Sequence, residues 1–278
     1  MAKKSKSSNS TESYFGKLVS ELVVGNRRMF ADCFSVFLDL QLSFFCNNPD
    51  EHQKMLFDYM KRNESFRNTM TDAMTCYGDL AENYHDPLGD LFMTYVSHGQ
   101  NGQFFTPESI STLMIRITGI ADGATVNDPT CGSGRTLLKA LELARGEDKE
   151  IELFGQDIDM TCCKMTLLNM LVNSAAGEVI CGNTLLQDRE NFHFFHIDKI
   201  RNLESGAIFS TYWQYTLETS QQVAKEREAW WWAIAEQGWI KYRHWTTPKE
   251  EKSEQKEPQI DPLPTEIKVD DKGQISLF

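Results

Sequence analysis

The 278 residues carry 40 acidic against 28 basic side chains, a formal charge of −12. That balance excludes a protein that grips nucleic acid by bulk electrostatics, since counterion release needs clustered lysines and arginines. The length allows one large or two small domains with ample core. The seven cysteines lack the spacing of a zinc site, which points to reduced, buried thiols in a cytoplasmic protein.

In chain order, residues 1–12 are rich in Lys and Ser and read as a disordered basic tail. No apolar stretch follows them to form a signal peptide. Residues 13–100 read as a helical N-terminal domain. Phe30, Phe34, Phe37, Leu40, Phe44 and Phe45 fall at helical spacing, with Asp32, Ser35, Asp39 and Ser43 on the opposite face. The two aspartates argue against a membrane span. Met55, Leu56, Tyr59 and Met60 mark a second helix, and the stripe Phe66, Met70, Ala73, Tyr77, Leu80 and Tyr84 a third. Stripes of this period serve packing.

Residues 101–246 read as an α/β domain. Thr106 and Pro107 form an N-cap and N1 pair for a helix whose expected buried face is Ile110, Leu113, Met114 and Ile117. Residues 124–127 then supply a short buried strand. Asp128 and Pro129 stop it, Gly132 and Gly134 permit a tight turn, and residues 135–144 continue as helix. The N–H groups at such a helix start suit an anion. A dinucleotide site wants a third glycine where this chain has Leu137. Asp128 repels a pyrophosphate but suits an ammonium. Asp157, ending a second strand over 151–156, lies where a carboxylate takes ribose hydroxyls. Ribose, ammonium and carboxylate together describe S-adenosylmethionine. On these residues alone, a glycine turn in an unrelated α/β protein carries comparable weight.

Further on, a helix is expected over 161–174, strands over 178–181 and 206–209, and a helix over 216–237 with Lys225, Arg227 and Glu228 on solvent faces. Trp230, Trp231, Trp232, Trp239 and Trp245, interleaved with Lys241, Arg243 and His244, suit either core packing of a last strand or a nucleic-acid stacking surface. Residues 247–264 form a charged, proline-punctuated linker. Residues 265–278 are either a hairpin or a docking peptide. The six histidines show no triad or metal spacing, so no metal is assigned.

Gly102-Gln103-Phe104-Phe105-Thr106-Pro107 upstream of Asp128-Pro129-Thr130-Cys131-Gly132-Ser133-Gly134 resembles the signature of the adenine-N6 DNA methyltransferases. The likeness is greatest to the modification subunits of type I restriction systems. It runs from Asp86-Pro87-Leu88-Gly89-Asp90-Leu91-Phe92 through Gly155-Gln156-Asp157-Ile158-Asp159 to Cys181-Gly182-Asn183-Thr184-Leu185, roughly a third of the chain. It implies a doubly wound, Rossmann-like methyltransferase domain that binds S-adenosylmethionine where the strand order switches. Phe105, Thr106, Pro107, Asp128, Pro129, Gly132, Gly134, Asp157, Ile158 and Asn183 would hold the cofactor. In the family, Asn183's position usually offers an acidic group to adenine.

One departure bears on catalysis. After a strand such as 206–209 the family places Asn, Asp or Ser, then Pro-Pro and an aromatic residue. The first side chain and a backbone carbonyl hold the target amino group, the prolines fix the loop, and the aromatic stacks on a flipped base. This chain reads Ser210-Thr211-Tyr212-Trp213, leaving Ser210 and Trp213 as remnants. The resemblance therefore implies either a DNA-modifying methyltransferase working with DNA through a partner, such as a specificity subunit, or an inactive cofactor-binding subunit. The latter would serve regulation or assembly in a mobile-element or replication-associated complex. Gln274-Ile275-Ser276-Leu277-Phe278 resembles the peptide that docks bacterial replication proteins on the sliding clamp, with the hairpin as its alternative.

Overall fold

Short polar side chains set three of the helix starts in the N-terminal part. The computed structural model describes residues 4–97, 104–186, 189–242, 268–269 and 275–276. Helices α1 (Lys4–Ser20), α2 (Phe30–Ser43), α3 (Glu51–Arg62), α4 (Glu64–Leu80) and α5 (Pro87–Phe92) lead the chain. Asp50 and Gln53 form a reciprocal capping box for α3, and Asn63 caps α4. Asp86 caps α5 with Pro87 in the first turn. Phe15, Phe37 and Tyr77 bring α1, α2 and α4 onto one aromatic centre, with ring centroids 5.4 and 5.9 Å apart. Helix α1 takes in residues 4–12, expected to lack structure, because Phe15, Leu18 and Val19 anchor its second half in the core.

The sheet begins with parallel strands β1 (Thr125–Asp128), β2 (Glu152–Asp157) and β3 (Ala176–Cys181). Helices α6 (Glu108–Thr118), α7 (Arg135–Gly146) and α8 (Met160–Val172) precede and connect them. Strands β4 (His193–Asn202) and β5 (Ile208–Tyr215) then add antiparallel, and β6 (Trp239–Lys241) pairs with the end of β4 that β3 leaves free. Alternation sorts the two faces. Val179, Phe195 and Tyr212 pack toward α8 and the N-terminal helices, while Ile180, Phe194, Trp213 and Tyr215 pack with α9 (Ser220–Ala235). The fold is thus α/β with a helical N-terminal domain and helices on both faces, as read from the sequence.

Several local readings change. The strand order is β1-β2-β3-β4-β5, so among the described residues β1 is an edge strand. No reversal of order stands beside it, and β1 is half exposed where a buried strand was expected. Strand β4 escaped notice because polar His, Asp, Lys and Arg interrupt its apolar residues. Arg227, assigned to solvent, is fully buried against Asp198. Asp39, placed on the outer face of α2, is buried and pairs with Lys164 of α8. Each charge was buried by a partner remote in sequence. Trp239 packs on Phe209, and Trp213 on Trp230, which supports the packing account for Trp239 and Trp230, while Trp232 is exposed and Arg243, His244 and Trp245 lie outside the described residues.

Strands β7 (Lys268–Val269) and β8 (Ile275–Ser276) pair antiparallel. Gln274, Leu277 and Phe278 of the clamp-like peptide lie outside the described residues, and the paired Ile275 and Ser276 lend it no support. No helix among the described residues is long and apolar enough to cross a membrane.

Candidate functional site

The site grows from the turn between β1 and α7. Gly132 (φ +57°) and Gly134 (φ +82°) both adopt left-handed backbone. A Cβ on Gly132 would meet the Phe105 ring at 2.7 Å, and one on Gly134 would meet Thr166 at 3.0 Å. Close approach and sign of φ together require glycine at both positions. The turn is pinned from below: Cys131 N–H donates to Gln156 O at 2.8 Å, and Thr166 Oγ1 donates to Gly132 O at 2.9 Å.

Behind the turn lies a polar hub that sequence reasoning missed. Asp86 is fully buried, and its carboxylate accepts from Gly89 N–H, Asn169 Nδ2, Arg135 Nε and the Ser133 hydroxyl. Asn169 also donates to Ser133 O at 2.9 Å and accepts from Tyr77 OH at 3.0 Å. Arg135 reaches on to Asp90 at 2.7 Å. One carboxylate therefore fastens the glycine turn to α5, α8 and, through Asn169, α4. The only hint in the sequence was the Asp86-Pro87-Leu88-Gly89-Asp90 stretch carried by the resemblance.

The walls come from three further loops. Phe105 stacks on Phe92 at 5.5 Å and closes over Gly132, bringing the segment of Phe105, Thr106 and Pro107 against the turn. Pro107 itself is the N-cap of α6, one residue later than expected. Asp157, at the carboxyl end of β2, accepts from Gly132 N–H at 3.0 Å and from Asp159 N–H at 2.9 Å. Each oxygen keeps a lone pair for another donor. Ile158 is 67% exposed beside it. Thr184 Oγ1 donates to Pro129 O at 2.7 Å, tying the loop of Asn183 to the glycine turn, and Asn183 Oδ1 accepts from Leu185 N–H. Asp128 accepts from Thr130 N–H at 3.1 Å. Burial, and then the nearby Asp157 charge, push its carboxyl above the usual carboxylate range. Seven of the ten expected cofactor residues thus lie just past the carboxyl ends of β1, β2 and β3 or on their last residues, and Phe105, ahead of α6, packs on the same turn.

Ser210 and Trp213 do not join them. Both lie inside β5, which three strands separate from β1 in the order of the sheet. Ser210 is buried and its hydroxyl donates to Ala175 O, while Trp213 is buried against Trp230. The expected loop after 206–209 is instead continuous strand, because β5 pairs with β4 through Tyr215. Among the described residues no group of three His, Cys, Asp or Glu side chains is arranged to hold a metal ion. A cavity of about 500 Å³ lies elsewhere, between α3, α8, β4, β5 and α9, and includes none of the glycine-turn residues.

Residues 85–237 match the model of the N-6 DNA methylase family. The methylase subunit of the type I restriction enzyme MjaIX from Methanocaldococcus jannaschii is 29% identical over 99 residues, 34% of this chain and 18% of that protein. The methylase subunit of the type I enzyme MpnII from Mycoplasma pneumoniae is 29% identical over 169 residues, 55% of this chain and 31% of that protein. Each match spans less than a third of the relative's own length. Among solved structures, a protein described as a class I S-adenosylmethionine-dependent methyltransferase from Listeria monocytogenes aligns at a TM-score of 0.44 and 14% identity, covering 62% of this chain and 53% of that one.

Proposed function

This chain belongs to the N-6 DNA methylase family, and from that membership we propose that it binds S-adenosylmethionine and serves adenine methylation of DNA together with a partner chain. The observation that carries the reading is the junction of Gly132 with Asp157, which ties the glycine turn to the carboxyl end of β2. The donor set fits the cofactor. Asp157 has free lone pairs for ribose hydroxyls, Ile158 presents an apolar surface for a purine, and Asp128 stands near Asp157 as a second carboxylate. Two carboxylates close enough to perturb one another favour a ligand that brings positive charge. When bound, the cofactor supplies a methyl group on sulfonium sulfur. The chain's own residues bind and orient it, and Phe105 shields the turn from solvent.

Little methyl transfer is expected from the chain alone. Holding an exocyclic amino group in line with the methyl needs a rigid acceptor pair at the crevice, and loss of such positioning costs orders of magnitude in rate. Neither Ser210 nor Trp213 reaches that place. The partner would supply that group, the DNA grip that a charge of −12 withholds, and, as a specificity-type subunit, the sequence reading. A purely regulatory, non-transferring subunit is the second reading, favoured by the same burial of Ser210. A cytoplasmic setting suits the seven unpaired thiols.

Calorimetry with S-adenosylmethionine and S-adenosylhomocysteine tests the binding. Asp157→Ala should weaken it by about 1–3 kcal/mol, since ribose hydroxyls are left unpaired. No heat from the intact protein would overturn the proposal. Tritiated methyl incorporation into mixed genomic DNA separates the two roles. Transfer that appears only with a partner identifies a working subunit, whereas robust transfer by the chain alone, dependent on Ser210, would refute the account of that residue.

A further inference from the structure

We propose that the open edge of β1 and the apolar stripe of α6 form a docking surface for a second, basic polypeptide. That chain would add a parallel strand beside β1 and carry, at the strand's carboxyl end, the loop that holds the target amino group. The inference rests on the cofactor-binding reading and names the partner's place in it.

Helix α6 is packed the wrong way round for its sequence. Ile110, Leu113, Met114 and Ile117 recur at helical spacing and are 47%, 54%, 50% and 76% exposed. The face it buries is instead the narrow one of Ser111 and Ile115, where Ser111 Oγ meets Thr136 Oγ1 of α7 at 3.2 Å. An apolar stripe this regular, left in water, marks an interaction surface. Residues 119–124 join α6 to β1, and both elements pack on α7.

Strand β1 supplies the second, independent observation. It pairs only with β2 among the described residues. Ala124 O accepts from Glu152 N–H, and backbone groups alternate along a strand, so Thr125 and Asn127 turn theirs to the free side. An edge of this kind is a template for another strand. In open α/β sheets the ligand crevice forms where the strand order reverses beside the first strand. Here, among the described residues, the glycine turn stands at the end of an edge strand, with no strand on the side where the second wall of a crevice would form.

A parallel strand is the occupant that restores that wall, because its carboxyl end then falls beside Gly132 and Asp157. A second copy cannot do so. Two β1 edges related by a twofold axis run antiparallel, which brings an amino end, not a loop, to each crevice. Charge points the same way. Asp122 and Glu152 are exposed at the start of β1 and β2 against one exposed cation on α6, Arg116, and the chain as a whole carries −12, so a net basic partner meets both this rim and DNA phosphates.

The test places a photoactivatable phenylalanine at Leu113 in the full chain, expressed in its own cell, with the same label at the exposed Met55 of α3 as control. The expected adduct forms from Leu113 only, with a different, basic chain. Its crosslinked peptide leads into an Asn- or Asp-Pro-Pro-aromatic loop. Adding Ile117→Glu should weaken the adduct at least tenfold while leaving the thermal midpoint and cofactor heat unchanged. An adduct with a second copy, with another segment of this chain, or with a chain lacking such a strand and loop would overturn the proposal, as would no adduct at all. Failure of the intact protein to bind S-adenosylmethionine would instead overturn the cofactor reading, and leaves the crosslink result to be judged separately.

Discussion

Replacing Asp86 by alanine is expected to cost about 3–5 kcal/mol of folding stability and to take cofactor binding with it. The carboxylate is fully buried and Arg135 is mostly so, which makes their separation the breaking of a buried ion pair. The Ser133 hydroxyl, the Asn169 amide and Gly89 N–H also lose their acceptor, each worth about 1–3 kcal/mol if nothing replaces it. These losses share one group and do not add. Arg135 also keeps Asp90, at 2.7 Å, which holds the total to the range of a single buried pair. Asp86→Asn is the sharper probe. Each carboxylate oxygen receives two donors, so an amide NH₂ at either position faces donors, and about 2–3 kcal/mol should be lost with volume unchanged. Urea denaturation followed by fluorescence reads the effect. At an m-value of about 3 kcal/mol/M the alanine variant's midpoint falls by about 1 to 1.7 M. Cofactor heat measured well below the transition should be lost, because Ser133 and Arg135 sit in the turn that Asp86 holds. A fully folded alanine variant within about 1 kcal/mol of the parent, or a neutral asparagine variant, would refute the role given to this hub.

Gly132→Ala should abolish cofactor binding while costing only about 1–2 kcal/mol of stability, because the strain is confined to one positive φ and the Phe105 ring; calorimetry beside a melting curve checks both. Asp128→Asn should stabilise the free protein at pH 7 and weaken cofactor binding. A carboxyl whose folded pKa is raised favours folding at pH below its unfolded value, and that contribution is lost as pH rises through the folded one, so the ionised form is a cost at neutrality. Opposite signs in melting and calorimetry are the result to find. Burial would raise the Asp198 carboxyl, but the buried Arg227 guanidinium outweighs it and holds the group far below the usual range. Its stabilisation is complete above the unfolded carboxylate pKa of about 4 and is lost as pH falls through the folded value. Arg227→Leu should cost about 3–5 kcal/mol at pH 7 and progressively less in acid, seen as a urea midpoint difference that shrinks from pH 7 to pH 3.

The sequence by itself determined what is local. Asp128-Pro129 ending a strand, two glycines and Arg135 opening a helix are turn chemistry, legible because backbone φ and the absence of a Cβ act within a few residues. Asp157 at the next strand end was legible for the same reason. Tertiary structure alone decided which charges went inside. Asp86, Asp39 and Arg227 look like any surface charge until Arg135, Lys164 and Asp198 arrive from distant segments. It also decided the fate of Ser210 and Trp213, since only the pairing of β5 with β4 says that they sit in a strand rather than a loop. The stripe on α6 shows the limit most plainly. Spacing reveals that one face of a helix is apolar, because the period is written in the residues. Whether anything covers that face depends on neighbours, and here Ile110, Leu113, Met114 and Ile117 stand in solvent, while β1 pairs on one side alone among the described residues.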